Sequence, residues 1–204
     1  MHPNRAFRDA GDATNLAFAR DQGFGILTVS NGTAAPLVSH VPFLLNEAGT
    51  EALVHLARPN PIVAALAAPA SARLVVAGPH GYVSPDWYRI EDQVPTWNYV
   101  AVHLTGTLEL TPQAGLQDLL DRQSAEFERR LPKTPWTSDK MTGGLMERMM
   151  RAIVPARLAI EEIDGTWKLS QNKPEAVRRA AADGVEAAGD PALAALMRTP
   201  PDRA

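Results

Sequence analysis

The sequence predicts a mainly β fold with added helices, a small antiparallel barrel of six or seven strands. Three observations lead there. Short apolar runs rich in β-branched residues recur between turn signals. Amphipathic helical patterns occupy the remainder. A chain of 204 residues with 45% hydrophobic content is long enough to bury one sizeable core.

The elements follow in order. Asp12 or Thr14 caps a short helix through Gln22, after which Gly23-Phe24-Gly25 leads into the apolar run Ile26 to Val29. Asn31-Gly32 then signals a tight hairpin to a strand from Pro36 to Leu45, because this pair readily takes positive backbone dihedrals. A third strand, Ala52 to Leu56, pairs beside it across the Glu47 to Thr50 turn. Pro61 opens an alanine-rich helix to about Ala68, a first-turn position that helices tolerate. Ser71 to Ala77 and Trp97 to Leu110 read as the fourth and fifth strands. Ala156 to Ile163 with Gly165 to Leu169 reads as a closing hairpin.

Between them, Pro112 to Arg130 sets Leu116, Leu119, Leu120 and Phe127 against a charged face, the pattern of a helix laid on a barrel. Gly144 to Ile153 carries Met146, Met149 and Met150, soft side chains suited to core gaps or a dimer contact. Helices from Pro174 to about Ala188 and from Pro191 to Met197 follow, and Pro200 to Ala204 reads as a frayed end. The expected organisation is one barrel domain, residues 1–173, with a helical extension, 174–204, packed on it.

Composition narrows the chemistry. The chain contains no cysteine, which excludes disulfides, thiolate metal sites and a cysteine nucleophile. Its start, Met1-His2-Pro3-Asn4-Arg5, is polar and no later run is long enough to span a bilayer, so a cytoplasmic location is expected. Twenty Lys and Arg against 23 Asp and Glu give a net charge of −3. That is not the footprint of a surface that grips DNA. The five histidines form no H-E-x-x-H and stand at no metal-ligand spacing; no G-x-S-x-G marks a nucleophile. Tyr82, Trp87 and Tyr88 beside Pro79 and Pro85 read as a rigid loop packed on the barrel.

The most informative stretch is Val94-Pro95-Thr96-Trp97-Asn98-Tyr99-Val100-Ala101-Val102. Pro95 cannot donate to a ladder and belongs at a strand start, where Thr96, Trp97 and Asn98 can face a cavity while Val100 and Val102 continue into the core. Four further blocks accompany it: Val38-Ser39-His40-Val41-Pro42-Phe43, His55-Leu56-Ala57-Arg58-Pro59-Asn60-Pro61, Gly78-Pro79-His80-Gly81-Tyr82-Val83-Ser84-Pro85-Asp86-Trp87-Tyr88 and Trp167-Lys168-Leu169-Ser170-Gln171-Asn172-Lys173. Together they resemble the PaiB family of FMN-binding negative transcriptional regulators. That family is similar to the wider group of FMN-binding split barrels, which includes pyridoxamine-phosphate oxidases and flavin reductases. The resemblance implies an FMN-binding split barrel and a homodimer with FMN near the subunit interface.

FMN brings a dianionic phosphate. Without a P-loop or G-x-G-x-x-G, cationic side chains with hydroxyl or amide donors must meet it. Arg58, just past an apolar strand end, is the leading candidate, with Asn60 and either Lys168 or Lys173 as further donors. The flat ring needs an apolar slot with polar groups along one edge. In Ser39-His40-Val41-Pro42, the proline would free backbone groups to address the ligand, and His40 would serve the ribityl chain or phosphate. Trp97 would cover the ring, and Thr96, Asn98 and Gln171 would bond its edge or the ribityl hydroxyls. Leu56, Ala57 and Pro61 complete the expected set.

Three functional classes remain open on the sequence. One is a negative transcriptional regulator, as the resemblance implies. Another is an FMN-dependent oxidoreductase or flavin reductase that uses NAD(P)H or a small-molecule substrate. A third is an inactive carrier of flavin or a haem-type ligand. An acidic chain with no recognisable helix-turn-helix makes direct DNA binding doubtful.

Overall fold

The computed structural model describes residues 2–32 and 34–202. Six strands, β1 (Phe24–Val29), β2 (Leu37–Leu45), β3 (Glu51–Ala57), β4 (Ala70–Val83), β5 (Thr96–Leu110) and β6 (Ile153–Lys168), form a closed antiparallel barrel in the order β1-β2-β3-β6-β5-β4. The helices are α1 (Gly11–Gln22), α2 (Pro61–Ala65), α3 (Leu116–Glu128), α4 (Leu145–Met150), α5 (Glu175–Ala187) and α6 (Pro191–Arg198). The chain divides into two compact units. Unit 1 comprises residues 1–22, 76–103 and 163–204, and unit 2 comprises 23–75 and 104–162.

In unit 2, alternation of buried and exposed residues turns Leu27, Val29, Val41, Phe43, Val54 and Leu56 into the core. Val29 pairs with Leu37, so Asn31-Gly32 lies within a longer loop and is not the whole of a tight turn. The next hairpin is tied by Asn46, whose Oδ1 accepts from the Thr50 and Glu51 amides at 2.9 and 3.1 Å. Pro42 leaves the β1–β2 ladder intact: the register runs unbroken from Leu37 to Pro42, and Phe43 still donates to the Gly23 carbonyl at 2.9 Å. The proline stands at the end of that pairing, where its missing donor costs least. On β5, a Cβ at Gly106 would come within 1.8 Å of the Ala159 carbonyl oxygen, so only glycine fits there. On α4 no residue is buried, and Met149 is 56% exposed. The methionines therefore do not fill the core.

In unit 1, α5 and α6 complete a core that joins Ala181, Ala182, Val185, Leu193 and Met197 to Tyr88, Val100 and Trp167. The expected closing hairpin is instead the far part of one strand, β6. Gly165 lacks a side chain because Asn15 of α1 crosses there: a Cβ would sit 2.0 Å from Asn15 Oδ1. The same Oδ1 accepts from Trp167 Nε1 at 2.9 Å, and Phe18 packs edge-on to the Trp167 ring. Likewise β4 continues beyond Ala77 because Gly78 admits the Phe18 ring, to which a Cβ would approach within 2.5 Å. Trp87 lies against Gly184 of α5, which seats the aromatic loop. Of the expected frayed end, Pro200 and Pro201 are half-buried and Asp202 is exposed, while Arg203 and Ala204, like Met1, lie outside the described residues.

Candidate functional site

The candidate residues gather as two groups, one in each unit. In unit 2, β3 ends at Ala57 and the chain turns into α2. Asn60 caps that helix: its Oδ1 accepts from the Ile62 amide at 3.0 Å, and its Nδ2 donates to Ser39 Oγ at 3.0 Å. Both ends of its amide are committed, and Pro61 is the helix's first residue. Arg58 is exposed and forms no ion pair among the described residues. Its Nε donates to the Arg151 carbonyl at 2.5 Å and an Nη to Gln113 Oε1 at 3.1 Å, which braces the guanidinium and leaves the other Nη without a partner among the described residues. His40 is exposed and stacks on Phe24, with centroids 6.5 Å apart. Val41 and Leu56 are 2% exposed and belong to the barrel core; Ala57 is exposed and Pro42 half-buried.

In unit 1, a cavity of about 220 Å³ is lined by Phe7, Tyr88, Asp92, Gln93, Val94, Thr96, Asn98, Lys168, Ser170, Asn172 and Lys173. Strand alternation divides the informative triplet. Thr96 and Asn98 face the cavity, whereas Trp97 is half exposed on the other face and stacks on His80, with centroids 6.0 Å apart. The three therefore do not share one cavity. Asn98 is 1% exposed; its Nδ2 donates to Ser170 Oγ at 2.9 Å, and that hydroxyl also bonds Tyr88 OH at 2.8 Å. Asn98 Oδ1 is buried with no hydrogen-bond partner.

Gln171 folds the loop that holds Ser170. Its Oε1 accepts from the Leu169 amide at 2.8 Å, and its Nε2 donates to the Trp167 carbonyl. Its amide is thereby occupied. Lys168 donates to Thr96 Oγ1 and Lys173 to Gln93 Oε1, both at 2.6 Å, and neither lysine is in an ion pair among the described residues. Burial pushes the Lys168 ammonium below its ordinary pKa. Among the described residues three non-glycines have positive φ: Arg89 (55°), Asp92 (57°) and Ser170 (63°). Two of them line this cavity. Left-handed backbone at Asp and Ser is strained and concentrates at ligand sites. Sequence reasoning did not single out Tyr88, Asp92 or Ser170 for this role, since nothing in their identity announces such a conformation.

Among the described residues no group of three or more His, Asp or Glu is arranged to hold a metal, and no helix is long and apolar enough to cross a membrane.

Comparison with known proteins adds the family. The family described as "Putative FMN-binding domain" matches residues 1–162. The chain belongs to this FMN-binding family. Within it, the chain is 31% identical over 161 residues to the protease synthase and sporulation protein PAI 2 of Bacillus subtilis, covering 78% of this chain and 76% of that one. Its fold is similar to an FAD and heme binding protein from Mycobacterium smegmatis (TM-score 0.59, 18% identity, 89% and 80% of the two chains). It is also similar to the flavocytochrome Anf3 from Azotobacter vinelandii (0.54, 16%, 82% and 72%). The FMN-binding family therefore sits here on a closed split barrel, and flavin is its cofactor.

The residues present fit that cofactor's phosphate. Arg58 is an exposed cation with one Nη lacking a partner among the described residues, and Ser39 carries a hydroxyl held by Asn60; a cation and hydroxyl or amide donors are the residue types that a chain without a glycine loop requires.

Proposed function

We propose that the protein is an FMN-dependent oxidoreductase that acts on a small molecule with NAD(P)H as the electron source, and that it works as a homodimer. Arg58 and Ser39 hold the phosphate. His40, with Phe24, lies along the flavin, and Trp97 with His80 offers a second aromatic surface for a ring. When bound, FMN supplies the hydride chemistry. The protein's part is to grip it, exclude water and orient a substrate. Asn60, Gln171 and Pro61 serve by shaping the loops that carry these groups.

The observation that carries this reading is that the cations of the two candidate groups have no carboxylate partner among the described residues. Arg8, Arg122, Arg129, Arg130, Lys133, Arg157, Arg179 and Arg198 are each engaged by a carboxylate. Among the described residues Arg58, Lys168 and Lys173 are not, and neither are Arg5, Arg73, Arg89, Lys140, Arg148, Arg151 and Arg178; the first three stand beside hydroxyls and amides within the two candidate groups, which leaves donors for a small ligand. A second reading, control of transcription, is the one that the PaiB-like sequence blocks imply.

Purified protein saturated with FMN is titrated anaerobically with NADH and with NADPH. Bleaching of the visible flavin band supports the oxidoreductase. A band unmoved by both, together with sequence-selective duplex binding well below the non-specific range of about 10⁻⁴ to 10⁻⁶ M, would put the regulator in its place.

A further inference from the structure

The unit 1 cavity is built for something smaller than a flavin. At about 220 Å³ it falls below the roughly 300–1,000 Å³ of sites that enclose a whole cofactor or drug-sized molecule. We infer that the cavity formed by Asn98, Lys168, Ser170 and Lys173 binds a compact oxyanion carrying its own hydroxyl, of the hydrogen phosphate or α-hydroxycarboxylate kind.

Two features set the charge. Lys168 and Lys173 both line the cavity against one lining carboxylate, Asp92, so the cations outnumber the anion, and each ammonium spends one hydrogen bond on a neutral oxygen, on Thr96 and Gln93 respectively. An ammonium has three donors, so each keeps two. Two cations that share a partly dry cavity repel one another, and an anion between them relieves that repulsion.

A third feature sets the hydroxyl. Asn98 is almost wholly buried in the cavity wall, with its Nδ2 fixed by the Ser170–Tyr88 hydroxyl pair and its Oδ1 unpartnered. A buried carbonyl oxygen left bare is costly, and a ligand hydroxyl that reached it would relieve that cost. Hydrogen phosphate and a hydroxy acid bring one; sulfate and acetate do not. The left-handed backbone of Ser170 holds the hydroxyl that orients Asn98. That is the kind of strain a binding site retains.

The test uses the full chain saturated with FMN, so that the cofactor's own phosphate site is filled. Calorimetry is run with inorganic phosphate, sulfate, glycolate and acetate. Phosphate and glycolate should bind, with sulfate and acetate each weaker than its hydroxyl-bearing counterpart by about tenfold or more. The tighter of phosphate and glycolate identifies the source. Asn98→Ala should bring the phosphate-to-sulfate ratio close to one. Lys173→Met should weaken all four anions by about tenfold. Should Asn98→Ala fail to fold by circular dichroism, the wild-type ratio and Lys173→Met still decide. No heat with any anion, or equal affinity for phosphate and sulfate, overturns the inference. So does release of FMN by phosphate, seen as a rise in flavin fluorescence, which would make the cavity part of the cofactor cradle.

Discussion

Replacing Arg58 with alanine removes a cation whose two roles can be measured separately. In the proposed phosphate site, the guanidinium would supply one charge-assisted bond worth about 1.5 to 3 kcal/mol. Because Arg58 is exposed, the lower half of that range applies, about 1.5 to 2 kcal/mol, or roughly 10- to 30-fold in Kd. Towards the fold, it donates to the Arg151 carbonyl and to Gln113, which in turn donates to the Met150 and Ile153 carbonyls at 3.0 and 3.2 Å. Loss of that brace costs about 1 kcal/mol, a fall in Tm of about 2 to 4 °C. Titration of the apoprotein with FMN and with riboflavin, followed by flavin fluorescence, distinguishes the two roles. FMN affinity should fall as stated, whereas riboflavin, lacking the phosphate, should bind both proteins alike. Gln113→Ala keeps the charge and should lower Tm with at most a few-fold change in FMN affinity. Added salt should narrow the gap between wild type and Arg58→Ala. Unchanged FMN affinity in a folded Arg58→Ala protein, or an equal loss for riboflavin, would refute the assignment.

Gly106→Ala should force β5 from β6 at the Ala159 carbonyl and cost about 3 kcal/mol or more, read as a Tm loss of about 6 to 12 °C or as insoluble protein. Hydrogen bonds from Arg129 and then Arg130 hold the Glu126 carboxyl down at about 2, from an ordinary value of 4.5. Its contribution is therefore present above pH 4.5 and lost as pH falls towards 2. Glu126→Gln should cost about 0.5 to 1 kcal/mol at pH 7, given the exposure of Arg129, and nothing near pH 2; a gap in Tm that persists in acid would contradict this. Trp167→Phe keeps the apolar contact with Phe18 but leaves Asn15 Oδ1 bare. We expect about 1 to 2 kcal/mol by denaturant unfolding, and an unaltered midpoint would show the bond to be idle. On the proposed homodimer with a shared cofactor site, dilution should release flavin as the protein dissociates, followed by light scattering and flavin fluorescence. A monomer that keeps its FMN would exclude the shared site.

The strands were legible wherever apolar alternation was strong. β1, β2, β3 and β5 lie within a residue or two of their expected bounds. Glycine was misread where it serves close approach and not turning. Gly165 and Gly78 looked like breaks, yet each lets an α1 side chain, Asn15 or Phe18, cross a continuous strand. Such contacts join residues distant in sequence, and no local pattern encodes them. At the candidate site, residue types such as Arg58, Lys168 and Asn98 could be named from the chain. What could not be read was the register that parts Trp97 from its neighbours, the hydrogen bonds that commit Asn60 and Gln171, or the left-handed backbone at Asp92 and Ser170.

The way α5 and α6 seal unit 1 bears on how the chain can be shortened. The family match ends at residue 162, whereas Trp167, Leu169, Ala181, Ala182, Val185, Leu193 and Met197 lie within one buried cluster. A stop codon placed after residue 162 would strip that cluster of its roof and uncover Tyr88, Val83 and Val100. The truncated product should then be degraded or collect in inclusion bodies, while trimming after Asp202 should leave yield and protease resistance unaltered.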